Sequence, residues 1–414
     1  MNNEADVSAT LTLLTPEAVR QRCFEVFAAA EANSLNFFQL NKENFGVAVE
    51  LVVAEITSNY PNGKVPFHSR WRHFEYGDQD FWLETSSALV NHSKAEVARR
   101  QIDLAVISVL LDAGAGPGWS YADSKSGITF DRSEGLAIAS LRLFESGLLS
   151  LNGLDDPLRV DALPLKNITP EILASLFQVS ETNSLVGLEE RANLLNKLGQ
   201  VLVEHKHMFE SGGSLRPGNL YDYLFQRQEN GVLAAREILI AILEGMGEIW
   251  PDGSWVDGIA IGDAACHEAI KRSDITDGIV PFHKLSQWMS YSLIEPLQLA
   301  GMKIVNLDAL TGLAEYRNGG LFIDTGTISL RDKAQMENVH DPKSPLIVEW
   351  RALTVTLLDQ LAEQIRQHMN TNSESMPLVS ILQGGTWSAG RRIAQQLRAD
   401  ATPPLRLKSR GTIF

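Results

Sequence analysis

Apolar residues recur with helical spacing along most of the chain. Thr15-Pro16-Glu17 sets a capping hydroxyl and then a proline at the first helical position, ahead of Val19, Cys23, Val26, Phe27 and Ala30 on one face. The pattern predicts a helix starting at Pro16. A second helix is predicted through residues 99–111, where Ile102, Ala105, Ile107, Leu110 and Leu111 make it apolar on most sides and Gly114 is expected to supply a left-handed stop. Such a helix belongs in the middle of a fold. Further helices are expected at about 188–206, 233–249, 283–300, 344–369 and 387–399. The 344–369 segment carries Ile347, Trp350, Val355, Leu358, Leu361, Ile365 and Met369. Strand-like runs are short, at 303–307, 321–330 and 378–382. The expected fold is mainly α with a small β element.

Composition narrows the class. Hydrophobic residues make up 44% of the 414 positions and charged residues 21%, an ordinary globular balance that excludes disordered, collagen-like and coiled-coil chains. The length suits one large mainly helical body over 1–414, or two lobes, 1–165 and 166–414. The weakest connections are around 152–169, where Pro157, Pro164 and Pro170 cluster, and at 370–377. No fixed-period repeat or low-complexity tract interrupts the chain.

Thirty-six Lys and Arg against 51 Asp and Glu give a net charge of −15, which opposes sequence-independent nucleic-acid binding but admits small phosphorylated ligands. The two cysteines, Cys23 and Cys266, fit no metal or disulfide spacing and point to a reducing compartment. No apolar window reaches the length of a spanning helix, and the first residues lack a basic region followed by an apolar run. A cytoplasmic protein without a membrane partner is expected.

Several motifs fail on spacing. Gly114-Ala115-Gly116-Pro117-Gly118 follows a helix and not a strand, and its third glycine is misplaced for a dinucleotide loop. Gly384-Gly385-Thr386-Trp387-Ser388-Ala389-Gly390 lacks the spacing of a nucleophile elbow and reads as a tight turn before a helix. His205 and His207 would diverge on a helix, as would the consecutive Cys266-His267-Glu268, so no metal and no other cofactor is expected.

Two clusters hold more chemistry. In the segment from Pro66 to Gly77, His68, Arg70, Trp71, Arg72, His73, Phe74 and Tyr76 interleave cations with aromatics. Arginine forks there fit phosphate oxygens, and Trp71 or Phe74 could cover an apolar ligand face; the plainer alternative is a loop whose arginines pair with the surplus carboxylates. The second cluster joins His283, Lys284 and Trp288 to Glu315, Tyr316 and Arg317, and then to Asp324. Lys284 and Trp288 share a helix face, and the interval to Glu315 is long enough for the chain to reverse and bring a lysine, a carboxylate and an arginine together. A surface ion pair beside core aromatics is the competing interpretation.

The run PFHKLSQWMSYSL, followed by NLDALTGLAEYRNGGLFIDTGTI, resembles the Lys-Arg-Ala-Gln…Trp…Leu-Thr-x-x-Ala-Asp-Tyr-Arg signature of the queuosine-phosphate N-glycosidases. Over essentially the whole chain the sequence resembles the uracil-catabolism protein 4 family, through HSRWRHFE, DLAVISVLLDAGAG, RSEGLAIAS and GGTWSAGRRIA with PPLRLKSRGTIF. The glycosidase resemblance implies a helical body related to helix-hairpin-helix DNA glycosylases that cleaves a ribose C–N bond without metal or redox cofactor. Its functional lysine falls on Lys284 and its functional aspartate on Glu315, where the acid is one methylene longer. Trp288, Tyr316 and Arg317 also match, and His283 replaces the residue before the lysine. The uracil-catabolism resemblance implies a route that eventually releases urea, in which a protein similar to N-ribosidases would fit the step that splits ribosylurea phosphate into urea and ribose phosphate.

On that expectation Glu315 offsets the oxocarbenium charge and orients water, Lys284 binds the leaving group, and Asp324 is a backup acid. Arg317 holds the phosphate, with Arg70 and Arg72 as second candidates; Trp288, Tyr316 and Trp71 enclose the sugar, and His283 and His68 are further substrate contacts. The expected partner is a small phosphorylated riboside, with no nucleic acid. An amidohydrolase acting on a ring-opened uracil fragment, and a non-catalytic binding protein of the pathway, are the alternatives.

Overall fold

The computed structural model describes residues 4–408, arranged as two compact units that interleave along the chain. The first is built from residues 4–68, Asp252–Gln287 and Asn306–Lys408; the second from Ser69–Pro251 and Trp288–Val305. Both stretches considered as connections lie inside a unit, 152–169 in the second and 370–377 in the first. Residues 409–414, which end the C-terminal run GGTWSAGRRIA…PPLRLKSRGTIF, lie outside the described residues.

In the first unit the helix Pro16–Glu31 begins as Thr15 and Pro16 dictate, with the Thr15 hydroxyl accepting from Ala18 N at 3.2 Å. Its buried face, Val19, Cys23, Val26 and Phe27, packs against the helix Pro345–His368, in which Trp350, Leu353, Leu357, Leu361 and Ile365 are buried. Burying each such side chain contributes on the order of 1.5–3 kcal/mol, which is what holds these two helices together. Small strand pairs edge the unit: Phe38–Leu40 runs antiparallel to Ile328–Leu330, Ala264–Cys266 to Ile279–Pro281, and Ser254–Val256 to Ile259–Gly262.

Three expectations here are corrected. Of the strand-like run 321–330, Leu321 to Asp324 finish the helix Tyr316–Asp324 and only Ile328–Leu330 is a strand. The run 378–382 is helical, Leu378–Ile381 passing into a wider turn at Leu382–Thr386 and on into Trp387–Leu397. Its apolar residues are buried on every side, and a short all-apolar run carries no period to separate strand from buried helix. The tight turn expected at Gly384-Gly385 is therefore part of a helix. A Cβ on Gly385 would stand 2.4 Å from Val52 and one on Gly384 3.2 Å from Ile56, so these glycines let the segment press against the helix Phe45–Asn59.

The second unit centres on the helix Lys94–Leu111, capped by the Ser93 hydroxyl and buried continuously from Gln101 to Leu111. Its end differs from expectation: Asp112 N bonds back to Val109 O, a tightened last turn that stops the helix before Gly114, and the left-handed glycine is Gly116. The helices Arg132–Glu145, Leu188–Glu204 and Ala235–Met246 accompany it. Val232–Ala234 pairs in parallel with Lys303–Val305, the strand expected at 303–307. The helix Lys284–Leu299 contributes residues 284–287 to the first unit and 288–299 to the second. The architecture is mainly α, with strands occurring only as two-stranded pairs among the described residues. No helix among those residues is long and apolar enough to cross a membrane.

Candidate functional site

Asp263 organises the start of the Lys284–Leu299 helix. Its carbonyl accepts from Phe282 N and His283 N at 2.9 and 3.1 Å, and its carboxylate accepts from Lys284 N at 3.1 Å, a negative charge where the helix dipole favours one. Arg351, on the helix Pro345–His368, grips the same carboxylate through two bonds of 2.9 and 2.6 Å. Burial alone would raise the Asp263 carboxyl, but the Arg351 charge outweighs it and holds the group below its ordinary range. Arg351 Nε also donates to Ala314 O at 3.4 Å, and its guanidinium lies 4.0 Å over the Phe282 ring. One arginine thus joins the turn before Lys284 to the residue before Glu315.

Glu315 caps the helix Tyr316–Asp324. Its carboxylate accepts from Arg317 N at 2.8 Å and from Asn318 N. The turn that follows is clamped by close packing. A Cβ on Gly319 would meet Trp350 Nε1 at 2.6 Å, and one on Gly390 would meet the Arg317 carbonyl at 2.3 Å. Asn318 Oδ1 accepts from the Thr386 hydroxyl at 2.8 Å, tying the same turn to the GGTWSAG segment.

Burial pushes the Glu315 carboxyl above its ordinary value; the Arg317 and Asn318 N–H groups and the charges of Lys284 and Arg317 offset that only in part. The result is a carboxyl acted on by two cations yet harder to ionise than a free glutamate. Arg317 lies 5.2 Å over the Tyr316 ring, and its Nη1 donates to Ala401 O at 2.8 Å.

The other expected residues of this unit hold the chain in place. His283 is wholly buried at a φ of 51°, a region rare for a side-chain-bearing residue, with Nε2 2.8 Å from Leu13 O. His68 Nδ1 is 2.9 Å from Gln383 Oε1. Burial lowers both imidazoles below the ordinary histidine value, so they are neutral at pH 7. Asp324, expected in a strand-and-turn setting, ends a helix and forms a two-bond ion pair with Arg398 at 2.8 and 2.6 Å.

In the second unit, Arg70 to Phe74 form a short 3₁₀ turn. Arg70 is wholly buried, paired with Asp112 at 2.9 Å and bonded to the Ser108 hydroxyl at 2.7 Å, with Trp288 5.7 Å beneath its guanidinium. Trp71 Nε1 donates to Ser292 O at 2.7 Å. Arg72 pairs with Glu295 at 2.8 Å and Glu75 at 3.0 Å. Each arginine of the segment already has carboxylate partners, as the plainer of the two sequence interpretations holds.

The structure therefore brings Lys284, Glu315, Tyr316 and Arg317 into one neighbourhood of the first unit, while Arg70, Trp71, Arg72 and Trp288 group in the second. Sequence reasoning missed Asp263 and Arg351, since a pair 88 residues apart leaves no local signal. Among the described residues, no group of three or more His, Cys, Asp or Glu is placed to hold a metal ion.

A family model described as Protein of unknown function (DUF1688) matches residues 12–414. Uracil catabolism protein 4 of Lachancea kluyveri is 36% identical over 434 residues, covering 96% of this chain and 97% of that one. The chain belongs to the uracil catabolism protein 4 family. Protein urg3 of Schizosaccharomyces pombe is 38% identical over 415 residues, covering 97% of this chain and 98% of its own. Similarity to uracil catabolism protein 4 therefore extends through both units, and through both the Glu315 and the Arg70 neighbourhoods. A local match, 35% identical over 91 residues and 22% of this chain, is to the Queuine tRNA-ribosyltransferase of Pseudomonas syringae pv. tomato, of which it covers 24%.

Proposed function

We propose that this chain serves uracil catabolism as an N-ribosidase, hydrolysing the ribose C–N bond of ribosylurea phosphate to urea and ribose phosphate. The pathway follows from the relative named for uracil catabolism, similar over nearly its full length. The reaction class is supported by the match of Lys284, Trp288, Glu315, Tyr316 and Arg317 to the N-glycosidase signature, and the partial match to a protein named as a ribosyltransferase agrees with it. The observation that carries the reading is Glu315, a buried carboxyl beside the Lys284 and Arg317 charges at the start of a clamped helix.

Water adds across the C–N bond: its oxygen joins the anomeric carbon, and the nitrogen leaves with a proton. Ionised Glu315 would offset the positive charge that develops on the sugar and accept one proton of the attacking water, which then passes through solvent to the departing nitrogen, so that no net proton is taken up. Its two helix-capping bonds fix the carboxylate in advance of the reaction, and each oxygen retains a further lone pair. Lys284 would hydrogen-bond the urea oxygen as negative charge builds on the leaving group. Arg317 spends one donor on Ala401 and has others for the phosphate, with Tyr316 beneath it as a platform for the sugar.

Incubating the full chain with ribosylurea phosphate, and separately with uridine monophosphate, and reading products by mass tests the reaction. Free urea and ribose phosphate are expected from the first. Carbamate or ammonia would replace the ribosidase with an amidohydrolase, and an unchanged, saturably bound ligand would make the chain a binding protein.

A further inference from the structure

Within the second unit, His92, Glu96, Arg99, Arg100, Arg159 and Arg216 line an open cavity of about 440 Å³, with Ser211, Ser214 and the Gly212 turn completing the wall. Four guanidinium groups face one space in a chain whose net charge is −15. Each is fixed by a carboxylate: Arg99 by Asp222 at 2.8 and 2.6 Å, Arg100 by Asp156 at 2.6 Å, Arg159 by Asp161 at 2.8 Å and Arg216 by Asp103 at 2.9 Å. None of these four carboxylates lines the cavity; Glu96, bonded to Arg99, Arg100 and Arg216, is the one acid that does.

An ion-pair network is enough to explain why these segments hold together. Asp103, wholly buried, accepts from Val160 N at 3.2 Å and Gly218 N at 2.6 Å as well as from Arg216, and so joins three stretches of chain. A Cβ on Gly218 would stand 2.2 Å from the Arg99 carbonyl, so the contact admits glycine alone. The network sets five carboxylates, Asp222, Asp156, Asp161, Asp103 and Glu96, against four arginines, so what points to a ligand is not excess charge but the open, ligand-sized space that all four guanidinium groups border. A guanidinium carries five N–H donors in a rigid plane, and those the carboxylates leave over are held in position without further loss of side-chain freedom.

We propose that this cavity is an anion site for a small molecule bearing a phosphate group, free or esterified. Arginine forks match phosphate oxygens, and side chains already immobilised bind such a group at reduced entropic cost. The lining shares no residue with the Glu315 neighbourhood, so the site stands whether or not the ribosidase reading does.

The test is isothermal titration calorimetry of the full chain with sodium pyrophosphate and with sodium phosphate, run in the Arg317→Ala background to remove the other candidate phosphate holder. Saturable binding of at least one probe with a dissociation constant below about 1 mM is expected, weakened at least about ten-fold by the double change Arg99→Gln and Arg159→Gln. Those two arginines are partly exposed, which favours folding of the variant. Should the variant not fold, Ser211→Asp adds a negative charge to the wall with every ion pair intact and is expected to weaken binding by a similar factor. Absence of saturable heat, or affinity unchanged in the folded double variant or in Ser211→Asp, overturns the site.

Discussion

The Glu315 and Arg70 neighbourhoods hold the same kinds of side chain and put them to different uses. Arg70 and Arg72 each face a carboxylate at ordinary ion-pair distance, and Asp324 and Arg398 likewise satisfy one another. Glu315 receives two backbone N–H groups and two nearby cations, and still burial wins and its carboxyl stays hard to ionise. Burial also raises the Asp112 carboxyl despite Arg70, so resistance to ionisation is common to both neighbourhoods. The difference lies in the partners: Asp112 pairs directly with a guanidinium, whereas Glu315 takes its hydrogen bonds from the Arg317 and Asn318 N–H groups and has Lys284 and Arg317 acting on it as charges.

The largest effect expected from this contrast is on stability. Arg70→Ala leaves Asp112 buried without its cation and is expected to cost roughly 3–5 kcal/mol in urea unfolding. A loss under about 1 kcal/mol would show that the pair is not the structural tie described.

The pH profile follows next. The folded Glu315 carboxyl titrates above the ordinary glutamate value near 4.3, and catalysis needs its ionised form. Turnover should fall about ten-fold per pH unit on the acid side of a pKa above that value. Stability runs the other way: a carboxyl with a raised folded pKa binds its proton more tightly when folded, so its contribution is full below the unfolded pKa and is lost as pH rises through the folded one. An acid limb at or below the unperturbed value would separate Glu315 from the rate.

Arg317→Ala should weaken phosphorylated ribosides about ten-fold in KM while changing unphosphorylated ones little. If the native chain bound both kinds equally, Arg317 would not be a phosphate holder. The smallest effect is Arg72→Ala, whose partners Glu295 and Glu75 are partly exposed, with an expected cost of at most about 1 kcal/mol. A much larger cost would move Arg72 into the class of Arg70.

Much of the helical framework is legible in the sequence. Thr15-Pro16 marks the start of Pro16–Glu31, and the apolar repeat of 344–369 gives Pro345–His368 to within a residue or so at either end. The helices Phe45–Asn59 and Arg132–Glu145 escape the same reasoning. In the first, the apolar Val47, Leu51 and Val53 lie off the buried face of Ala48, Val49, Val52 and Ile56 and blur the period, and Gly135 interrupts the second where a Cβ would meet Trp119 at 2.9 Å. In the site, the signature motif points to Lys284 and Glu315, but glutamate is not among the preferred capping residues, so the cap formed by Glu315 carries no local signal. The Asp263–Arg351 bracket is equally silent, because only the folded chain brings those positions together.

The most direct measurement is the single-turnover rate of ribosylurea phosphate cleavage by the native chain and by Glu315→Gln, alongside ligand affinity and urea unfolding of both. Glutamine keeps one oxygen to accept a capping N–H and loses the charge. The rate is expected to fall at least about 100-fold with affinity and folding largely retained. A Glu315→Gln protein that cleaves the substrate at the native rate would contradict the central role given to this carboxylate.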